Sequence, residues 1–227
     1  MVSVVKRYYA YRATLTNGFY LPVSVIYMEA QGLGLAEIGF VQGVFLFGMV
    51  AGELPTGYLA DFLGRRKTLA LGNAVTATVM AGFVFASSTA AFTALLLLWS
   101  FAWTLRSGTS DAWLYELLAQ EDLDDEFARL SGRAESVMLV VSAGAALAAG
   151  FLYTVDPAIP FAANAVVAAL GLPVLLTLPA TQRVDHDDSK MTVSRAVSLL
   201  REQFSRPAIG WLIVYAALFN IVFSVTR

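Results

Sequence analysis

The stretch "GYLADFLGRRK", Gly57 to Lys67, places one aspartate, two glycines and three consecutive cations between two long apolar runs. A segment that turns polar this abruptly and then reverts reads as the turn between two helices. Gly64 is placed to take the left-handed conformation that closes a helix cheaply, and Gly57 leaves room for a neighbouring helix to approach closely. Arg65, Arg66 and Lys67 fix the turn on a charged face. Asp61 is the residue a plain turn does not explain. A carboxylate at the C-terminal end of a helix opposes the helix dipole and needs a positive partner.

Outward from that turn the chain is 58% hydrophobic and only 14% charged, with a mean hydropathy of +0.66. Soluble domains carry about 45–50% apolar residues. The charges gather in short patches separated by nearly uncharged runs of about 18–28 residues, and about 20 helical residues at 1.5 Å each cross a hydrocarbon layer about 30 Å thick. Seven spans are predicted, at about residues 8–30, 35–60, 67–86, 90–118, 131–154, 157–178 and 208–225. The connectors alternate. "QGLGLAE", "SSTAAF" and "VDPAIP" hold no Lys or Arg, while "MVSVVKR", "DFLGRRK", "AQEDLDDEFARLSGR" and "TQRVDHDDSKMTVSRAVSLLREQFSRP" hold twelve of the fifteen cations. Cytoplasmic connectors retain Lys and Arg, so the N-terminus and every second loop are expected on the cytoplasmic side of a cell (inner) membrane.

The predicted fold is all-α and polytopic. A six-helix transmembrane bundle covers residues 1–179, a cytoplasmic linker with a short amphipathic helix covers 180–206, and a seventh transmembrane helix covers 207–227. The first apolar run is read as a retained span rather than a secretory signal. It contains Arg12 and Asn17 and ends in "YMEAQG", without a small-residue cleavage site.

Composition also narrows function. A net charge of -2 and a pI of about 5.4 give no reason to expect nucleic acid. With no Cys there are no disulfides and no thiolate chemistry. His186 stands alone among Asp185, Asp187 and Asp188 in a polar loop and reads as solvated charge, not a metal site. No zinc-protease helix, nucleophile elbow, phosphate loop or pair of catalytic carboxylates is present, so neither an enzyme nor a cofactor is expected.

The run from Gly57 to Lys67 resembles the loop 2–3 signature of the major facilitator superfamily, G-x-L-a-D-R/K-x-G-R/K-R/K. Gly57, Asp61, Gly64, Arg65 and Arg66 match it, and Phe62 stands where a cation is usual. Glu53-Leu54-Pro55-Thr56-Gly57, Ser107-Gly108 and Asp111-Ala112-Trp113-Leu114-Tyr115-Glu116 are similar to a prokaryotic branch of that superfamily, many of whose members are described as drug or metabolite exporters. The resemblance implies twelve helices in two six-helix halves, of which this chain would carry the first half, the connecting loop and the first helix of the second. It implies a secondary active transporter working by alternating access: efflux of a small organic or drug-like molecule, with proton coupling, and here truncated. Its partners would be the lipid bilayer, the substrate, and a missing C-terminal half or a second chain. In the family the aspartate matching Asp61 is thought to meet the second half and help hold the outward-open state. Of the family's span-four motif only Arg106 matches, with Ser110 where a Gly is usual, and the Gly-Pro antiporter motif of span five is absent.

Ionisable groups inside spans cost about 2.5–3.5 kcal/mol on insertion scales, which makes each a functional candidate. From the expected cytoplasmic ends, Arg12 lies about 6 Å deep, Glu53 and Asp111 about 10 Å, and Arg106 about 18 Å. Arg106 and Asp111 are about 140° apart around one helix and do not face each other. For Glu53 and Asp111 two readings are open: carboxylates that exchange a proton with the cavity, or static partners of Arg12. Arg106 is open between a coupling or substrate role and a structural one, and Asn17 between lining the cavity and an interhelical hydrogen bond. Gly39, Gly43, Gly48 and Gly52, with "SAGAALAAG" from Ser142 to Gly150, form small-residue faces suited to close helix packing. Pro22 and Pro55 are expected to bend their spans. A rival reading is a non-transporting structural or regulatory membrane protein that oligomerises through those faces.

Overall fold

The computed structural model describes residues 2–180. Almost all of the expected linker, the short amphipathic helix and the seventh span, with His186 and Trp211, lie outside the described residues. Seven helices follow in order: α1 (Val2–Ala13), α2 (Ser24–Ala30), α3 (Leu35–Leu63), α4 (Arg65–Phe83), α5 (Thr89–Ala119), α6 (Phe127–Val155) and α7 (Ile159–Leu176). A 3-10 turn at Asp124–Glu126 leads into α6, and there is no strand among the described residues. Four stretches are long and apolar enough to cross a membrane: Leu35–Glu53, Thr89–Ala119, Asp124–Val155 and Ile159–Leu176. α4 falls outside that set because its first turn carries Arg65, Arg66 and Lys67 and its buried face carries Thr68, Asn73 and Thr76.

The expected first span, 8–30, is not one helix. It is α1 and α2 with non-helical backbone at 14–23 between them. The cause is local. The Thr14 hydroxyl donates to the Tyr11 carbonyl (2.7 Å), and the Thr16 hydroxyl accepts the Gly18 N–H (3.0 Å). Short polar side chains thus compete with the helical ladder, and Pro22 has no N–H to restore it. The break is covered by protein. Thr16, Asn17, Gly18 and Tyr20 are buried, and the Thr16 hydroxyl lies 2.9 Å from that of Ser142 on α6. A Cβ on Gly18 would stand 2.2 Å from the Ser142 carbonyl oxygen, so only glycine lets this backbone lie on α6. Irregular backbone at membrane depth is tolerated where protein covers it in this way.

α3 packs on α5, α4 packs on α5 and α7, and α1 packs on α6. Two of the five glycines of α3 serve the first contact. A Cβ on Gly48 would stand 2.1 Å from Ser100 Oγ, and one on Gly52 would stand 2.9 Å from Thr104 Oγ1. These residues pack inside the chain, whereas Gly39, Gly43, Gly144 and Gly150 face open space. Gly57 also has nothing within 4 Å of an added Cβ, so the close helix approach expected there is not made.

Gly64 alone joins α3 to α4. Its φ of 84 and ψ of 147 place it in an extended positive-φ region that glycine alone enters readily, beyond the simple left-handed cap. Two apolar cores lie at opposite ends of the bundle. At the Ser88 end, Tyr20 inserts its ring among Trp99 (4.7 Å between centroids), Phe83 (5.3 Å) and Phe161 (6.0 Å), which pins the break from within. At the Gly64 end, Tyr8, Tyr11, Leu69, Trp113 and Leu175 form the second core.

Candidate functional site

Polar side chains gather at the Gly64 end in two groups. The first is the turn itself. Arg65, in the first turn of α4, pairs with Asp61 (3.2 Å) and with Glu116 on α5 (3.0 Å). The positive partner that Asp61 requires is therefore four residues away in the same motif, rather than only in a second half. Arg66 donates to the Leu178 carbonyl (3.1 Å), which ties the turn to the chain beyond α7. Phe62, in the place of the usual cation, is exposed and adds no polar contact to this network.

The second group joins α1, α5 and α6. Arg12 donates through one terminal nitrogen to Ser110 Oγ (3.2 Å) and pairs through the other with Glu135. The Tyr8 hydroxyl, one turn earlier, donates to the Ser110 carbonyl (3.2 Å) and lies 3.0 Å from Ser110 Oγ. Asp111 accepts a 3.4 Å hydrogen bond from Ser131. The expected partners of Arg12 are thus corrected: neither Glu53 nor Asp111 meets it, and Glu135 does. Glu53 is exposed on α3, and its carboxylate meets no partner among the described residues.

Arg106 is 5% exposed, and its guanidinium makes one hydrogen bond, from Nε to the Ala102 carbonyl of its own helix (3.3 Å). It does not pair with Asp111, as the spacing around the helix requires. Its aliphatic stem lies against α4, where a Cβ on Gly72 would stand 2.5 Å from Arg106 Cγ. Asn17 is buried in the break rather than on a helix, and its Oδ1 has no hydrogen-bond partner, so the interhelical bond expected of it is not formed through that atom.

Four participants escape a reading of the sequence: Tyr8 as a hydrogen-bond donor, Ser110, Glu116 and Glu135. Glu135 lies inside the expected fifth span and carries the same signal as Glu53, a carboxylate in an apolar run. Arg133 beside it makes the pair read as the end of a charged connector. Ser110 signals nothing on its own. Two further buried amides cross the interior. Asn73 donates to the Ala168 carbonyl of α7 (3.2 Å), and neither side-chain polar atom of Asn164 has a partner.

The family model described as Major Facilitator Superfamily matches residues 13–226. Among curated relatives, the uncharacterized MFS-type transporter YxaM of Bacillus subtilis (strain 168) is 22% identical over 177 residues, covering 77% of this chain and 43% of the relative. The uncharacterized MFS-type transporter MJ1317 of Methanocaldococcus jannaschii is 30% identical over 124 residues, covering 55% of this chain and 30% of the relative. The crystal structure of the nucleoside transporter NupG (D323A mutant) superposes with a TM-score of 0.69 at 17% identity, over 88% of this chain and 50% of that one. At that identity the likeness speaks to fold alone. The matched region covers less than half the length of the curated relatives and half of the structural one. The family match runs through the broken first span, the Asp61–Arg65 turn and all the apolar helices described above, and on that ground the chain is a multi-pass membrane protein belonging to the major facilitator superfamily.

Proposed function

We propose that this chain supplies the first half, and the start of the second, of a secondary transporter that exports a small organic molecule by alternating access. The Asp61–Arg65–Glu116 network carries this reading. It fastens the α3–α4 turn to α5 at one end of the bundle, where an ion-pair set can hold the path closed in one state and release it in the other. α1 and α2 together make the first of six crossings and α4 the third. The N-terminus faces the cytoplasm of an inner membrane, in keeping with the cation-rich connectors. The substrate site lies between the two repeats, so a second half, in the same or another chain, completes it. Proton coupling falls to Glu53, Asp111 and Glu135. The Glu135 side chain is 47% exposed although its partner Arg12 is buried, so the carboxylate side of the pair lies open on the surface of this half.

The test is dye movement in everted membrane vesicles carrying this chain either alone or joined to the five further helices that would complete a second half. A proton-gradient-driven signal in the joined protein, lost in Arg65→Ala, is expected. Failure of the joined protein to move any of a panel of organic cations, anions and neutral dyes would overturn the reading. Movement unchanged by Glu53→Gln, Asp111→Asn and Glu135→Gln together would remove proton coupling alone. A second reading, oligomerisation without transport, rests on the open faces at Gly39 and Gly43. It predicts a discrete oligomer in detergent that Gly39→Leu with Gly43→Leu dissolves.

A further inference from the structure

Lys6 and Arg7 on α1, with Arg66 and Lys67 on α4, stand at the Gly64 end with no acidic partner among the described residues. The end of α7 brings two of them together. Arg7 donates through one terminal nitrogen to the Thr177 carbonyl and through Nε to the Ser3 carbonyl (3.2 Å), while Arg66 donates to the Leu178 carbonyl (3.1 Å). Adjacent carbonyls thus hold two guanidiniums, one from each helix. A neutral carbonyl orients such a group but leaves its charge uncancelled, and each guanidinium has more N–H groups than these bonds use.

Lys6 and Arg7 also line an open groove with Ser3 and Ala10, at the i, i+3, i+4 and i+7 positions of one face of α1. Ser3, Lys6 and Ala10 are exposed and Arg7 is half-buried, so a ligand can reach the charges. The acids of this end are placed elsewhere. Asp61 and Glu116 pair with Arg65, and Glu135 pairs with Arg12. The acidic connector runs from α5 to α6, and its 3-10 turn at Asp124–Glu126 packs on those two helices rather than on α1 or α7. Apolar surface adjoins the cations: Ala10 closes one end of the groove, and Leu176, next to Thr177, is 74% exposed.

We propose that Lys6 and Arg7, with Arg66 across the end of α7, hold the phosphate of an anionic phospholipid at the membrane surface. Charge set beside exposed apolar surface suits an amphiphile better than a free ion, since the head group meets the cations while the acyl chains lie along the helices. A zwitterionic lipid cancels its own phosphate and gains less there. The assignment rests on the membrane-spanning character of the chain, and neither transport nor the direction in which the chain faces enters it.

The experiment is one of binding. The chain is purified in a neutral detergent, and phosphatidylglycerol or phosphatidylcholine with the same acyl chains is titrated into the micelles. Thermal unfolding is followed by the fluorescence of the four tryptophans. A saturable rise in unfolding temperature is expected with phosphatidylglycerol and a smaller one, or none, with phosphatidylcholine. Each cation near an anionic lipid surface is worth about a fivefold change in association, so the half-saturating fraction should rise about fivefold in Lys6→Gln and about 25-fold in Lys6→Gln with Arg7→Gln. Lys6→Gln removes an exposed charge that pairs with nothing among the described residues, so it decides the matter even if Arg7→Gln disturbs the end of α7. Arg133→Gln takes the same charge from the exposed surface of α6 and should respond as the native chain does. Equal responses to the two lipids, a native response in Lys6→Gln, or an equal loss in Arg133→Gln would each overturn the proposal. Glycerol phosphate should give no saturable rise, and one matching that of phosphatidylglycerol would make the ligand a free phosphate instead. Asp185→Asn with Asp187→Asn and Asp188→Asn should leave the half-saturating fraction unchanged. A fall there as large as the rise in Lys6→Gln would make that acidic segment the counter-charge and overturn the lipid assignment.

Discussion

Removing the charge of Glu135 tests the polar group at the Gly64 end most directly. In the native chain the Arg12 side chain is 10% exposed and that of Glu135 47%, so the pair is neither fully buried nor at the surface. Breaking a buried pair by deleting one partner costs about 3–5 kcal/mol, and an exposed pair is worth about 0–1. With one partner nine-tenths enclosed, Glu135→Gln should cost about 2 kcal/mol, roughly a 30-fold change in the folded-to-unfolded ratio. The loss is one-sided. Glu135→Gln strands the Arg12 charge, leaving it a neutral amide oxygen and the Ser110 hydroxyl as acceptors and Arg106 as a like-charged neighbour. Arg12→Met instead leaves a half-exposed carboxylate that water can solvate, and should cost about 1 kcal/mol or less. The double variant should be more stable than Glu135→Gln alone. The assay is reversible unfolding in mixed micelles, read by tryptophan fluorescence. A cost for Glu135→Gln below about 0.5 kcal/mol, or a double variant less stable than either single one, would refute the assignment of Glu135 as the counter-ion.

Gly72→Ala and Gly171→Ala should each destabilise by about 1–3 kcal/mol in the same assay, since their added carbons would meet Arg106 Cγ at 2.5 Å and Asn73 Nδ2 at 2.1 Å. Gly144→Ala should stay within about 0.5 kcal/mol of native. Gly64→Ala, forced to a φ of 84, should lose about 1–3 kcal/mol through the backbone although nothing lies near its Cβ. The chain has no cysteine, so single replacements can be labelled without background. A membrane-impermeant maleimide should reach Gly132→Cys only from the cytoplasmic side and Ser87→Cys only from the opposite side. Labelling of both from one side would overturn the proposed orientation.

The helical, membrane-spanning character was legible because it rests on length and apolarity, which add up over twenty residues. The α3–α4 turn was legible because a positive-φ glycine flanked by charge has few other uses, and the structure places Gly64 there alone between two helices. The break after α1 was not legible. Thr14, Thr16, Asn17 and Gly18 are each tolerated singly in a spanning helix, and only the bed offered by Ser142 and Ala145 on α6 lets that backbone unwind without exposing it. Pairings were the least readable feature. Arg12, Glu53 and Asp111 fall in the same cytoplasmic half of the expected helices, but depth says nothing of azimuth. The partner of Arg12 comes from α6, the helix on which α1 packs. Asp61 pairs with Arg65, four residues on, although the family resemblance had implied a partner in a second half.

α6 grips the first crossing at two heights. Glu135 holds Arg12 on α1, and Ser142, about two turns along α6, holds Thr16 and underlies Gly18 in the break. The first short rod and the break after it are thereby spliced to α6, while α2 is anchored elsewhere, by Tyr27 against the Phe83 carbonyl and the Phe161 ring. On its other flank α6 reaches α5 through the 3.4 Å contact of Ser131 with Asp111 and the edge-on rings of Tyr115 and Phe127. α1 is therefore clamped from both sides, to α5 through Ser110 and to α6 through Glu135, so any sliding of α6 past α5 must carry Arg12 along or part it from one of its two partners.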